Sequence, residues 1–153
     1  MNIIAEIKVR FGEQVEIFEK NSTRVYVRVA KKDAKTLVRF LLLDLGARFS
    51  IASGVDTRPG IEILYHMAFD QLGLIVSVRT LVEKPELIME TFTDFMPAAD
   101  WIEREIHEML GVDFVGHPHL ERFLLPDDWP EGVYPLRKKT FESEQENPER
   151  EYA

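Results

Sequence analysis

Three histidines, His107, His117 and His119, fall within thirteen residues, with Glu105, Glu108, Asp113, Asp127 and Asp128 nearby. Side chains of these types ligate divalent metals and move protons, so the first chemistry to weigh is metal-assisted hydrolysis. His107-Glu108 opens like the helix of a zinc hydrolase, but that motif needs a second His four residues after the first, and Gly111 stands there. His117-Pro118-His119 is an extended tripeptide, so its two rings point to different faces and share a ligand poorly. Histidines that fix a loop by hydrogen bonds fit the pattern better than a metal site. A free-standing metal-dependent hydrolase using His107, His117 and Glu108 is the competing reading.

Acid–base chemistry is the second candidate. Glu105 and Glu108 are three residues apart, so on a helix they can share a face and raise one another's proton affinity. Arg104 and nearby basic residues neutralise such a pair equally well, and structural ion-pair clusters are the commoner case. The chain has no Gly-x-Ser-x-Gly elbow, phosphate-cradling loop or Gly-x-Gly-x-x-Gly fingerprint. No catalytic residue is assigned, and no metal or cofactor ligand.

Binding remains. Arg122, Phe123, Trp129 and Tyr134 are of the types that anchor protein interfaces. Pro126, Pro130 and Pro135 hold their segment extended, which lowers the entropy lost on docking. Asp127-Asp128 and Arg137-Lys138-Lys139 offer opposite charges to set register on a partner. A loop of this length inside a compact domain is usually a binding surface or disordered, and this one is too apolar and aromatic for disorder.

The elements that must carry this segment can be read in order. Residues 2–11 suit either a helix face through Ile3, Ile4, Ile7 and Phe11 or a strand alternation, and the reading leans to helix. Val15 and Ile17, then Val25, Val27 and Val29, form a hairpin about Asn21-Ser22. Asp33 is the expected N-cap of a helix to Leu45 that stops at Gly46. Strands are expected at about 47–54, 60–69 and 74–83, then a short helix at about 86–94. A helix over 98–110, entered at Pro97, buries Ile102, Ile106, Met109 and Leu110 and turns Glu103, Arg104 and Glu108 toward solvent or a partner. The expected fold is α+β: an antiparallel-rich mixed sheet with helices packed on one side and a long extended C-terminal arm. The expected organisation is a globular domain at 1–111, a partner-binding segment at 112–141 and an acidic tail at 142–153.

Composition narrows the function classes. A net charge of −8 argues against a nucleic-acid binder. With no cysteine, the chain offers no thiolate zinc site and no Cys ligands for an iron–sulfur cluster. No run approaches the ~18 apolar residues of a membrane span, and the N-terminus has no signal-peptide pattern, so membrane association is expected only through partners.

Four blocks, Glu103-Arg104-Glu105, Gly111-Val112-Asp113-Phe114-x-Gly116-His117-Pro118, Leu124-Leu125-Pro126-Asp127-Asp128-Trp129 and Pro135-Leu136-Arg137-Lys138, follow one another over about forty residues. Together they resemble the 30 kDa (C-type) subunit family of respiratory complex I, which extends to membrane-bound NiFe hydrogenases and related ferredoxin-linked complexes. Certain positions depart from the complex I pattern: His107 and Leu110 stand where it usually has aromatics, Glu108 where it has Asp, and His119-Leu120-Glu121-Arg122 where it has Asp-Leu-Arg-Arg. The Trp129 to Pro135 spacing is also longer. These departures favour the hydrogenase-like branch, with the equivalent component of a quinone-reducing complex I as the near alternative.

The resemblance implies a cofactor-free structural subunit on the cytoplasmic side of the cell membrane, held there peripherally. The implied partners are the large catalytic subunit and the small iron–sulfur subunit, with antiporter-like membrane proteins contacted indirectly. Iron–sulfur clusters, and a NiFe centre in the hydrogenase type, are implied for those partners. The residues expected to bind them are Glu103, Arg104, Glu105, Phe114, His117, Pro118, Arg122, Phe123, Leu125, Pro126, Asp128, Trp129, Tyr134, Pro135, Leu136, Arg137 and Lys138. An assembly factor that binds the complex transiently is a further alternative.

Overall fold

A computed structural model describes residues 1–138; the expected acidic tail and the last three residues of the expected arm lie outside them. Helix α1 (Ile3–Phe11) starts where the Asn2 side chain accepts the Ala5 amide at 3.1 Å, and it buries Ile3, Ile7 and Phe11 at helical spacing. Strands β1 (Val15–Asn21) and β2 (Arg24–Val29) form the expected hairpin. Asn21 closes its turn by accepting the Thr23 amide at 3.0 Å and the Thr23 hydroxyl at 2.9 Å.

Helix α2 (Lys31–Arg39) departs from expectation at both ends. Its N-cap is Ala30, which caps nothing with its side chain, and Asp33 lies in the first turn. Beyond Arg39 the chain continues as a π-helical turn over Phe40–Asp44. Strands β3 (Arg48–Asp56), β4 (Gly60–Phe69) and β5 (Leu74–Glu83) follow close to the expected positions. The sheet order is β1-β2-β5-β4-β3, antiparallel throughout except for the parallel β2–β5 pair. Alternation assigns the two faces. Val25, Val27, Ile61, Ile63, Tyr65, Met67, Val76 and Val78 are buried, in one core with the apolar stripes of all three helices.

The expected helix at 86–94 is absent. Residues Ile88–Glu90 form strand β6, which pairs in parallel with β7 (Asp113–Val115) after helix α3 (Ala99–Leu110). Leu87 and Met89 are buried with a period of two, and a three-residue strand is too short to display that period in the sequence. Val112 and Phe114 belong to the same core, so the body extends through β7, past the boundary expected after residue 111.

Helix α3 packs its Leu110 and Ile106 side chains directly over Gly54 of β3. A Cβ there would lie 2.4 Å from the Leu110 side chain. Gly60 permits an equally close approach within the sheet, since a Cβ at that position would lie 2.2 Å from the Val82 carbonyl oxygen. Gly60→Ala is therefore expected to destabilise the fold by about 1–3 kcal/mol, seen as a lower denaturant midpoint at unchanged m. An unaltered midpoint would show that β4 and β5 do not approach this closely.

Candidate protein-docking arm

Beyond β7, the chain runs along α3 from its first turn to its last, and the side chains of α3 hold it there. At the N-terminal end, the His117 ring donates from Nε2 to the Asp100 carbonyl at 3.2 Å. One turn on, the Arg104 guanidinium donates to the carbonyls of Glu121 at 3.4 Å and Arg122 at 3.0 Å, and lies 4.6 Å over the Phe123 ring. At the C-terminal end, Arg137 donates to the Leu110 carbonyl at 2.8 Å and the Leu136 amide donates to the Met109 carbonyl at 3.1 Å. These two contacts satisfy carbonyls that a helix end leaves unpaired.

The middle of the arm depends on Glu108. Its Oε2 accepts the Phe123 amide at 2.7 Å, and its Oε1 accepts the Leu124 and Leu125 amides, both at 2.9 Å. Burial pushes this carboxyl up, but the three amides and the nearby Arg122 charge outweigh it and hold the group below the ordinary glutamate range. A carboxylate committed to three amides is not free to act as a general acid or base, which removes the Glu105–Glu108 pair as a catalytic candidate.

Gly111 allows the arm to close over the end of α3. It caps the helix at φ 79°, with its amide on the His107 carbonyl at 2.8 Å. A Cβ there would meet Arg137 Nη2 at 2.4 Å and the Tyr134 ring at 2.7 Å. Arg137 in turn stacks 4.3 Å over Tyr134. The arm also braces itself: Arg122 donates to the carbonyls of Pro126 and Trp129, and Trp129 Nε1 donates to the Val133 carbonyl at 2.8 Å. A hollow of about 340 Å³ remains between arm and helix, lined by His107, Glu108, Arg122, Leu125, Trp129 and Tyr134 among others. At the end of the described chain, the Lys138 amide donates to Asp56 Oδ2 at 2.7 Å, and Asp56 Oδ1 takes the Lys84 ammonium at 2.7 Å.

The candidate residues divide three ways. Pro118, Pro126, Asp128, Pro135, Leu136 and Lys138 are exposed. Glu105, Arg104, Arg122, Phe123, Leu125, Trp129, Tyr134 and Arg137 are half-buried, and most of these hold the arm. His117 is half-buried as a residue, but its side chain is enclosed. Phe114 and Glu103, expected on the partner surface, are buried: Phe114 joins the core through β7, and Glu103 turns inward to the Phe92 amide at 2.7 Å and the Thr91 hydroxyl. Glu108 is likewise buried, where solvent or a partner was expected.

Trp101 was not among the candidates. It is 69 % exposed at the start of α3, off the buried stripe, with its ring 5.6 Å from that of Phe123. A tryptophan on the polar side of an amphipathic helix was the available signal. Trp101, Leu124 and Leu136 give the arm face its outward apolar groups. The histidines do not converge. His107 Nδ1 donates to the Val112 carbonyl at 2.8 Å and His117 to that of Asp100. Among the described residues no three His, Asp or Glu side chains gather to hold a metal ion.

Residues 27–146 match the family described as the respiratory-chain NADH dehydrogenase 30 kDa subunit. The chain is 34 % identical over 141 residues to the beta subunit of a membrane-bound hydrogenase from Pyrococcus furiosus, covering 86 % of this chain and 80 % of that one. It is 30 % identical over 149 residues to the C/D protein of an NADH-quinone oxidoreductase from Salmonella arizonae, covering 89 % of this chain. That relative is much longer, and the match spans only 24 % of it. Among solved structures, a chain of the membrane-bound sulfane sulfur reductase, an archaeal respiratory membrane complex, superposes with a TM-score of 0.80 at 24 % identity, over 99 % of this chain and 92 % of that one. The trypsin-resistant fragment of Nqo5 superposes with a TM-score of 0.66 at 20 % identity, over 78 % of this chain and all of the fragment. At these identities the two structures establish the shared fold.

Glu108→Gln leaves one of the three arm amides facing a donor. It is expected to cost about 1–3 kcal/mol and to open residues 121–129 to limited proteolysis while α3 stays intact. The sign of the pH effect follows from a folded carboxyl held below its ordinary value of 4.5. Its stabilisation is complete above that value and is lost as pH falls through the lower folded one, so acid releases the arm of the natural protein but changes the variant less. Equal cleavage of the two proteins at neutral pH would contradict this role.

Proposed function

The chain belongs to the family of the 30 kDa subunit of the respiratory-chain NADH dehydrogenase, and on that premise we propose that it is a structural subunit of a membrane-bound electron-transfer complex. In this reading the parent complex is hydrogenase-like and ion-pumping, and the chain belongs to its peripheral arm. The subunit docks the large catalytic subunit and the small iron–sulfur subunit, and it reaches antiporter-like membrane proteins only through them. Iron–sulfur clusters and the NiFe centre belong to those partners. The chain itself, which has no cysteine to ligate a cluster, supplies architecture.

One observation carries this reading: the arm is pinned to α3 by backbone and guanidinium bonds while Trp101, Leu124 and Leu136 are left at the surface, with the half-buried Phe123 packed beside Trp101. A segment already held in place loses little entropy on docking, and exposed aromatic groups flanked by Arg are the usual anchors of an interface. The hydrogenase-like parent is favoured by the higher identity and the fuller span of the hydrogenase relative, 80 % of its length. The equivalent component of a quinone-reducing complex I is the second reading, supported by the family match itself. The proposed attachment is peripheral and on the cytoplasmic side; no described helix is long and apolar enough to cross a membrane.

Purification of the tagged protein from its native membranes in mild detergent is expected to recover stoichiometric amounts of a Cys-rich small subunit, a large subunit and antiporter-like membrane proteins. The Cys ligands of the large subunit then distinguish a hydrogenase from its relatives. Replacing both Trp101 and Phe123 by Ala is expected to weaken recovery at least tenfold, as for interface anchors worth ~2 kcal/mol or more. Recovery of the unaltered protein as a lone soluble monomer would overturn the proposal.

A further inference from the structure

Apart from the arm face, titratable side chains meet where α3, the β6–α3 connection and the first turn of the arm come together, two of them enclosed and the third, Asp100, partly exposed. Glu103 has no exposed surface. Its Oε1 accepts the Phe92 amide at 2.7 Å, and its Oε2 faces the Thr91 hydroxyl. The same Oε2 lies 4.0 Å from His117 Nε2, on a ring that is itself fully enclosed. That nitrogen is also 3.5 Å from Asp100 Oδ1, a buried oxygen with no hydrogen-bond partner. That N–H is already given to the Asp100 backbone carbonyl at 3.2 Å, so the two carboxyl groups lie beside it without receiving it.

The other nearby groups can be named. Lys35 on α2 is the cation whose charge reaches Glu103, but its ammonium is bound to Glu90 at 2.7 Å and Asp94 at 2.9 Å. Tyr65 on β4 is buried close enough that the charge of Glu103 acts on its hydroxyl, which points to Met89 Sδ at 3.9 Å. Thr91 and Thr93 pair hydroxyl to hydroxyl at 2.9 Å. None of these places a free cation against the two carboxyl groups.

We propose that Glu103, Asp100 and His117 form one buried proton-binding site, and that its occupancy latches the first turn of the arm to α3. The geometry locates the proton. His117 Nδ1 accepts the His119 amide at 3.0 Å, so a second proton on the ring would set two donors against each other. The site's extra proton therefore rests on Glu103. The threonine pair accommodates both states without moving a heavy atom. A protonated Glu103 donates to the Thr91 hydroxyl, which donates on to Thr93, and an ionised Glu103 accepts from Thr91 instead. Losing the proton leaves the Glu103 carboxylate buried beside the partly exposed Asp100, with the one imidazole N–H already bound to a carbonyl, a cost relieved when the turn at 117–119 opens and admits water.

The electrostatics agree with this placement. Burial pushes the Glu103 carboxyl up to about 7, against the bonds from Thr91 and Phe92 and the charge of Lys35, with Asp100 adding to the rise. A carboxyl raised in the folded state stabilises that state at low pH and loses the contribution as pH climbs through the raised value. The latch is therefore tighter at pH 6 than at pH 8, and it stops weakening once pH passes the raised value.

The test uses the full 153-residue chain labelled with ¹³C-glutamate. The Glu103 carboxyl carbon is followed with pH, together with amide exchange over residues 117–119 corrected for its intrinsic pH trend. The expected midpoint is near 7, and the corrected exchange rises about tenfold between pH 6 and 8, most of it as pH approaches 7 and levelling off above, where both the closed and the opened turn have lost the proton. Glu103→Gln mimics the filled site, and its turn is expected to stay protected at pH 8. A midpoint near the ordinary 4.5 in the natural protein would overturn the proposal without recourse to any variant. So would a rise in exchange that Glu103→Gln shares.

Discussion

A single carboxylate, Glu108, fixes the path of the arm, because it alone receives the amides of three consecutive residues, Phe123 to Leu125. Three successive N–H groups in an irregular segment have no partners in a helix or sheet, and leaving them unpaired near apolar surface is costly. An ionised side chain projecting from a rigid helix meets all three at once. Once those amides are set, the Arg104 contacts upstream and the Arg122 braces downstream can form without further ordering of the chain.

The carboxylate can do this only because α3 is itself fixed. Gly54 lets the helix settle onto β3, and the buried residues Ile106 and Leu110 tie it to the core. The same strand provides the far anchor. Asp56, at the end of β3, binds the arm's last described amide and the nearly buried Lys84 ammonium together. A buried carboxylate with both a cation and an amide as partners is among the few forms in which a buried charge holds a structure well. The arm is thus suspended between two acidic groups, one on the helix and one on the sheet, and Gly111 leaves room for Tyr134 and Arg137 to pass between them. What faces outward is then set by what the two acids hold inward.

Much of this fold could be read from the residues. The period-two runs of β2, β4 and β5, the helical spacing of Ile3, Ile7 and Phe11, and the glycine that ends α3 all mark their elements directly. The arm was also legible as an ordered segment from its prolines and aromatic residues, and the family from its four blocks. Other features left no local trace. Strand β6 is three residues long and finds its partner only beyond α3. Glu103 and Glu108 occupy polar positions of an amphipathic helix and would be placed in solvent by periodicity, yet both are buried because their partners include backbone amides, which every residue carries alike. Phe114 was readable as apolar but not as core, since its burial depends on that same non-local pairing of β6 with β7.

If the arm is built before any partner arrives, amide exchange of the free chain will report it. The Phe123, Leu124 and Leu125 amides are expected to be protected in the isolated 153-residue protein, well beyond their solvent-exposed neighbours Asp127 and Asp128. Exchange of all five at the rate of an unstructured peptide would contradict it, and would mean that the arm takes this path only on its partner.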